Sequence, residues 1–190
     1  MEQPIREELE RLSELVSLVA RNQAGEIAAL ARLVAGVLRS GGVLYFAGNG
    51  GSAADAQHLA TEYVVRYTRS RAALPAVALT TDSSLLTACG NDFSFEEIFA
   101  RQVEALCKPG DLLILHSTSG ASPNLLRAAR AAREKGVQVA ALLGKGGGAL
   151  KELADLSIVI PSDDTSHIQE LHLAIQHIVC GLVERELALV

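Results

Sequence analysis

Short apolar runs alternate with helical stretches along most of this 190-residue chain, and this alternation constrains its fold more than any other feature. Five such runs follow the paired glycines at positions 41 and 42: Val43 to Phe46, Ala76 to Leu79, Leu112 to Leu115, Val137 to Leu143 and Leu156 to Ile160. Strands that alternate with helices form parallel sheets covered on both faces. We therefore predict an α/β fold, a doubly wound and largely parallel five-stranded sheet flanked by helices.

Helical periodicity dominates both ends of the chain. From Ile5 to Leu38 the apolar residues recur at helical spacing, with a break near Asn22 to Gly25 that predicts two helices. The segment from Ile168 to Leu187 is predicted as one long helix. Since no linker, repeat or low-complexity tract divides the chain, we predict a single domain over 1–190. It comprises an N-terminal helical hairpin (1–40), an α/β core (41–165) and a C-terminal helix (166–190).

Composition excludes several classes of protein. Hydrophobic residues make up 49% of the chain and charged residues 21%, which fits a globular domain with a sizeable core. The net charge of −5 and the lack of a lysine or arginine run argue against nucleic-acid binding. The three cysteines are scattered and odd in number, which favours a reducing cytoplasm over a disulfide framework. We find no export signal and no apolar run long enough to span a membrane.

A glycine-rich turn, Gly48-Asn49-Gly50-Gly51-Ser52, follows the first predicted strand and opens an amphipathic segment. Glycines let the backbone approach an anion closely, and the start of a helix presents unpaired amides to it. Ser52 is placed to cap that helix. The pattern fits a phosphate cradle or an ordinary tight turn about equally well, because short glycine motifs recur by chance.

A hydroxyl-rich loop, His116 to Pro123, follows the third predicted strand and precedes a helix that starts near Asn124. Ligands of open parallel sheets bind beyond the carboxyl ends of the strands, where this loop and the glycine turn both lie. Serine and threonine hydroxyls donate hydrogen bonds to phosphate oxygens. Such residues are also ordinary loop formers, but two such loops together favour a phosphate ligand more than either alone.

Two pairs of polar residues on predicted helices are candidates for metal binding or acid-base chemistry. His58 and Glu62 are four residues apart and share a helix face, although such pairs are usually solvated surface pairs. Gln169 and His177 are eight residues apart, so they lie on nearly the same face but about 12 Å apart along the axis. They could serve one metal only with long, opposed side chains, or one of them could reach a neighbouring chain.

These residues together resemble a known family, the phosphoheptose isomerases of the sugar isomerase (SIS) domain type. The resemblance covers nearly the whole chain and runs through Gly48 to His58, Leu79 to Asp82, Gly90 to Phe93, Ser117 to Gly120, Ile168 to Glu170 and His177 to Glu184. The glycine and serine loops are shared with many phosphosugar-binding proteins. The combination of His58, Glu62, Gln169 and His177 is much more specific.

The resemblance implies a flavodoxin-like SIS fold and the interconversion of sedoheptulose 7-phosphate and D-glycero-D-manno-heptose 7-phosphate through an enediol. The product would feed nucleotide-activated heptose for lipopolysaccharide and other cell-envelope polysaccharides. Glu62 and His177 would be the catalytic base and its acid-base partner. One zinc ion per subunit would be held by His58, Glu62, Gln169 and His177, in a cytoplasmic homotetramer with sites near the subunit interfaces. Substrate contacts would come from Glu62, Gln169 and the following residues: Asn49, Gly50, Gly51, Ser52, Asn91, Asp92, Ser117, Thr118, Ser119 and Ser122.

Some positions depart from the family pattern or have an open role. Ser166 stands where some relatives carry an acidic residue beside the substrate, and Gly147 replaces a loop aspartate, so contacts to the sugar hydroxyls are expected to differ. His116 is an unusual neighbour for a phosphate loop, and we expect it to be buried or to face another chain. Arg66 either neutralises substrate charge or pairs with an acidic side chain.

Two non-enzymatic functions compete with the isomerase. Some SIS proteins bind a replication initiator without catalysis, and others sense phosphosugars as regulators. The initiator-binding relatives generally lack the full acid, imidazole and amide set, whereas Glu62, Gln169 and His177 are all present here. A sensor would keep the serine loop but would not need Glu62. The sequence therefore favours the enzyme.

Overall fold

The structure is a computed structural model that describes residues 1–187. Its seven α-helices are α1 (Glu2–Asn22), α2 (Ala24–Arg39), α3 (Gly51–Val64), α4 (Ser83–Asp92), α5 (Ala100–Leu106), α6 (Pro123–Glu134) and α7 (Thr165–Glu186). The strands are β1 (Leu44–Gly48), β2 (Ala76–Ala78), β3 (Leu112–Ser117), β4 (Gln138–Leu143) and β5 (Leu156–Val159). One strand overlaps each predicted apolar run, and β1 and β3 continue two residues beyond theirs. Residues 188–190 of the predicted C-terminal segment lie outside the described residues.

The five strands form one parallel sheet in the order β2-β1-β3-β4-β5. The predicted doubly wound sheet is therefore confirmed. In this order the chain first steps from β1 to β2 on one side and then crosses to β3 on the other side. The strand order thus reverses between β1 and β3, and ligands of open parallel sheets bind beyond the carboxyl ends of the strands at such a switch point.

Side chains that alternate along the strands divide the core between the two faces of the sheet. Phe46, Ile114 and Leu142 point to one face and pack with α2, α3 and α7. Tyr45, Leu115 and other residues of the opposite parity pack on the second face, with α5 and α6. The central strands β1 and β3 are buried along their whole length, as strands covered on both faces must be.

The two predicted N-terminal helices are confirmed, with Gln23 as the single residue between them. Only Val19 is fully buried in α1, whereas α2 contributes a continuous stripe of buried residues to the core. The long C-terminal helix begins three residues before its predicted start, because the Asp164 carboxylate accepts hydrogen bonds from the amides of Ser166 and His167 and caps it. None of the helices within 1–187 has both the length and the apolar composition that a membrane crossing requires.

Candidate functional site

The glycine turn joins β1 to α3 at the switch point. Gly50 has a φ of +57°, which favours glycine, and it occupies the position that precedes the helix. A Cβ on Gly48 would lie 2.5 Å from the carbonyl oxygen of Ser52, so a glycine is needed there for α3 to start this close to β1. The prediction that Ser52 caps α3 is wrong. Its side chain is buried within the first turn and makes no capping bond, because the turn needs a left-handed glycine at the cap position.

Two asparagines bridge the glycine turn and the start of α6. The Asn49 amide nitrogen donates to Asn124 Oδ1 at 3.0 Å, and the Asn124 amide nitrogen donates to Asn49 Oδ1 at 2.8 Å. Asn124 is almost completely buried, so this reciprocal pair holds the loops after β1 and β3 in fixed register. Sequence reasoning missed Asn124 as a site residue. Its place at the start of a helix after a polar loop was the available signal.

The serine loop folds on its own backbone. Ser117 Oγ accepts a hydrogen bond from the Gly120 amide at 3.0 Å, and Ser119 Oγ accepts one from the Ala121 amide at 3.2 Å. Since each hydroxyl also carries one proton, both keep a donor for a ligand while the loop stays closed. Ser122 takes the N-cap position of α6, with Pro123 in the first turn of that helix.

Three candidate metal ligands meet between α3 and α7. The Nε2 atoms of His58 and His177 are 2.9 Å apart, and His58 Nε2 lies 3.3 Å from a Glu62 carboxylate oxygen. One ligand atom from each residue lies within 4.8 Å of the others. Burial lowers the pKa of His177, the nearby His58 ring lowers it further, and the Glu62 carboxylate partly opposes this shift. The predicted shared face of His58 and Glu62 is confirmed, and His177 joins them from the same chain.

The amide of Gln169 lies at the glycine turn. A Cβ added to Gly51 would be 2.8 Å from both Gln169 Nε2 and Oε1, so the absence of a side chain at Gly51 makes room for this amide. Gln169 thus contacts the start of α3, and His177 contacts its second half at His58. The two helices therefore run in the same direction. The role of Gln169 as a fourth ligand stays a prediction.

The remaining predicted residues are more exposed. Asn91 and Asp92 are at the end of α4, where the Asn91 amide donates to the Asp92 carboxylate at 2.8 Å. Arg66 is exposed, and within residues 1–187 no acidic side chain pairs with it. Ser166 donates its hydroxyl proton to Asp164 Oδ1 at 2.5 Å. The substrate contacts predicted for Asn91 and Asp92 stay predictions.

A group of buried polar side chains lies beside the site. His116 is fully buried, as expected, and its Nε2 is 3.2 Å from the amide nitrogen of Gln176, the residue before His177. His172 Nε2 is 3.1 Å from the Leu143 carbonyl oxygen. Burial and the adjacent His172 lower the pKa of His116 to about 3, and burial lowers that of His172 to about 4, so both rings are neutral at physiological pH.

Comparison with known proteins gives consistent matches. Residues 9–144 match the SIS domain family. The phosphoheptose isomerase of Akkermansia muciniphila is 52% identical over 166 residues, which cover 87% of this chain and 88% of that protein. The phosphoheptose isomerase of Geobacter sp. strain M21 is 49% identical over 189 residues, 100% of this chain and 98% of that protein. The structure of the phosphoheptose isomerase from Neisseria gonorrhoeae has a TM-score of 0.92 at 35% identity and covers 97% of this chain and 98% of its own.

Proposed function

Because the chain belongs to the phosphoheptose isomerases of the SIS domain family, we propose that it interconverts sedoheptulose 7-phosphate and D-glycero-D-manno-heptose 7-phosphate. The observation that carries this proposal is the convergence of His58, Glu62 and His177 on α3 and α7. An aldose-ketose isomerase needs a base and an acid beside two adjacent carbons. The serine loop and glycine turn supply donors of the kind that bind the phosphate of such a substrate.

The phosphate would be held at the switch point between β1 and β3. The Ser52 and Ala53 amides already donate to the carbonyl oxygens of Asn49 and Gly50, so the Gly51 amide is the helix-start donor left for a phosphate, and the positive end of the helix favours an anion. Ser117 and Ser119 already accept bonds from their own loop, which leaves their hydroxyl protons for phosphate oxygens. Thr118 and Ser122 belong to the same loop. The bridge between Asn49 and Asn124 would keep the two halves of this cradle at a fixed separation.

Glu62 is the proposed base for the proton that moves between C1 and C2. Its side chain is 17% exposed, so it is partly shielded from bulk water while still accessible to a ligand. His177 is the proposed acid-base partner, which protonates and deprotonates the oxygens as the enediol forms and collapses. Burial keeps the His177 ring mostly neutral near pH 7, and a neutral ring can both accept and donate a proton.

Two imidazoles and a carboxylate are a donor set typical of zinc. Tetrahedral zinc with nitrogen ligands at about 2.0–2.1 Å separates the two nitrogens by ~3.3 Å. The Nε2 atoms of His58 and His177 are 2.9 Å apart, so the residues fit the ion after a movement of a few tenths of an ångström. A bound zinc ion would supply positive charge that stabilises the enediolate. A carboxylate bound to zinc is a weaker base. Glu62 would therefore be less effective as the catalytic base while it acts as a zinc ligand.

We propose a homotetramer, which is the assembly that the resemblance to the family implies. Association is supported by several large apolar side chains that are exposed in the single chain, among them Ile5, Leu9, Phe93 and Phe95. We propose the cytoplasm as its location, since the three cysteines are free.

An isomerisation assay with sedoheptulose 7-phosphate tests the proposal. We expect turnover by the wild type and its loss in Glu62→Gln, which keeps the shape of the side chain but not its basicity. Binding of the sugar phosphate, measured by calorimetry, should persist in Glu62→Gln. Activity lost with a chelator and restored by zinc would assign the metal to catalysis. Phosphosugar binding without turnover under any metal condition would instead support a sensor or an initiator-binding protein.

A further inference from the structure

A buried ion pair fastens the connection between α3 and β2, residues 65–75, to the C-terminal helix. Arg71 Nε is 3.0 Å from a carboxylate oxygen of Glu184, and both side chains are 2% exposed. Burial by itself would raise the pKa of Glu184, but hydrogen bonds from Thr68, Tyr67 and Arg71 lower it below its usual value, so the carboxylate is ionised. Removing charges from water is costly, and such a pair persists only where further hydrogen bonds surround it.

Both members of the pair make further bonds to the backbone near the site. Arg71 donates to the carbonyl oxygens of Glu62 at 2.7 Å and Tyr63 at 2.8 Å, in the last turn of α3. Glu184 accepts from the backbone amide of Tyr67 at 3.2 Å and from the hydroxyl of Thr68 at 2.9 Å. The pair thus fixes the backbone at Glu62 and at Tyr67.

The ring of Tyr67 is stacked nearly parallel to the ring of His177. Their centroids are 5.4 Å apart and their planes differ by 16°. His58 meets the His177 ring differently, edge to face, with centroids 5.1 Å apart and planes at 67°. Gly181 lies one turn after His177 on α7, and a Cβ there would be 3.5 Å from the Tyr67 ring. The tyrosine ring therefore lies over α7 from His177 to Gly181.

We propose that Tyr67 is a positioning residue for His177, held in place by the buried Arg71–Glu184 pair. The stacked contact fixes the plane of the imidazole and stops the ring from turning about its Cβ–Cγ bond. Its Nε2 therefore stays directed at His58 and Glu62. An imidazole that rotates freely spends only part of its time in the geometry needed for proton transfer. This inference rests on the assignment of His177 as the acid-base group in the proposed function.

The test compares Tyr67→Ala with Tyr67→Phe, which retains the ring and is the matched control. With sedoheptulose 7-phosphate, Tyr67→Ala should lower kcat by about tenfold or more and change KM by less than about threefold, because ground-state binding of the phosphate is left intact. Tyr67→Phe should stay within about twofold of the wild type in both constants. The zinc dissociation constant, measured against a chromophoric chelator, should rise by about 10-fold in Tyr67→Ala only.

A lower melting temperature of Tyr67→Ala with wild-type kcat would overturn the proposal, since the ring would then serve packing alone. Tyr67→Leu keeps the apolar volume without the flat ring, so it serves as the second variant if Tyr67→Ala fails to fold. We expect its kcat to fall as well. A wild-type kcat in Tyr67→Leu would refute the stacking role. His177→Gln distinguishes a failure of the positioning role of Tyr67 from a failure of the acid-base role of His177. If it is inactive while Tyr67→Ala is fully active, only the positioning role fails, whereas an active His177→Gln refutes the site assignment itself.

Discussion

Acidification from pH 7.5 to pH 5.0 should destabilise the fold through two buried histidines, His116 and His172. Their folded-state pKa values of about 3 and about 4 lie well below the ordinary value of 6.5. Below pH 6.5 the unfolded chain therefore binds protons that the folded chain does not bind. The free energy of unfolding is unaffected by these residues above that pH, and it falls as the pH drops from 6.5 toward the folded values.

The size of the effect follows from the same values. At pH 5.0 each unfolded histidine is 1.5 pH units below its pKa, which at ~1.36 kcal/mol per unit gives about 2 kcal/mol each and about 4 kcal/mol together. Ordinary aspartate and glutamate pKa values lie near 3.9 and 4.3, so carboxylates with ordinary values contribute little in this window. Burial raises the pKa of Asp55, and a proton that this carboxylate gains on acidification offsets part of the loss. A loss of this size is a large fraction of the stability of a typical domain.

Urea unfolding at pH 7.5 and pH 5.0, at one protein concentration, measures the loss. His172→Gln is the informative variant, because a glutamine amide can replace the ring nitrogen that faces the Leu143 carbonyl. Its own loss between the two pH values should be about 2 kcal/mol smaller than that of the wild type. The contribution of His177, whose pKa is also lowered, cancels in this difference. Equal losses in the two proteins would refute the argument that buried neutral histidines cause the acid sensitivity.

Two further predictions concern glycines near the site. A Cβ on Gly120 would overlap the Gly147 carbonyl oxygen, so Gly120→Ala should destabilise the fold by more than about 2 kcal/mol. Gly146 also has a positive φ, but no atom lies near its Cβ position, so Gly146→Ala should cost only about 1–2 kcal/mol. Equal losses in urea unfolding would contradict the steric argument. Gly51→Ala should displace the flexible Gln169 amide, lowering kcat/KM about tenfold with a melting temperature within ~2 °C of wild type; wild-type kcat/KM would show that this amide has no role in the reaction.

Local patterns predicted much of the architecture. Strand positions follow from short apolar runs, because a strand buried on both faces needs an uninterrupted apolar stretch. The shared face of His58 and Glu62 follows from the helical repeat alone. The exact bounds did not follow, since a cap such as Asp164 and the left-handed turn at Gly50 depend on where the chain must go next. For the same reason the capping role expected of Ser52 was wrong.

The class of fold, the resemblance to the phosphoheptose isomerases and the residue types available for the chemistry could all be inferred from the sequence, because they depend on patterns within a few turns or on the motifs themselves. Which of those residues meet depends on how the chain folds. His58 and His177 are 119 residues apart in the chain, and Asn49 and Asn124 are 75 apart. Such contacts depend on the order of strands in the sheet and on the direction in which α7 packs beside α3. No local periodicity encodes either of these, and for this reason Tyr67 and its buried ion pair emerged only from the folded chain.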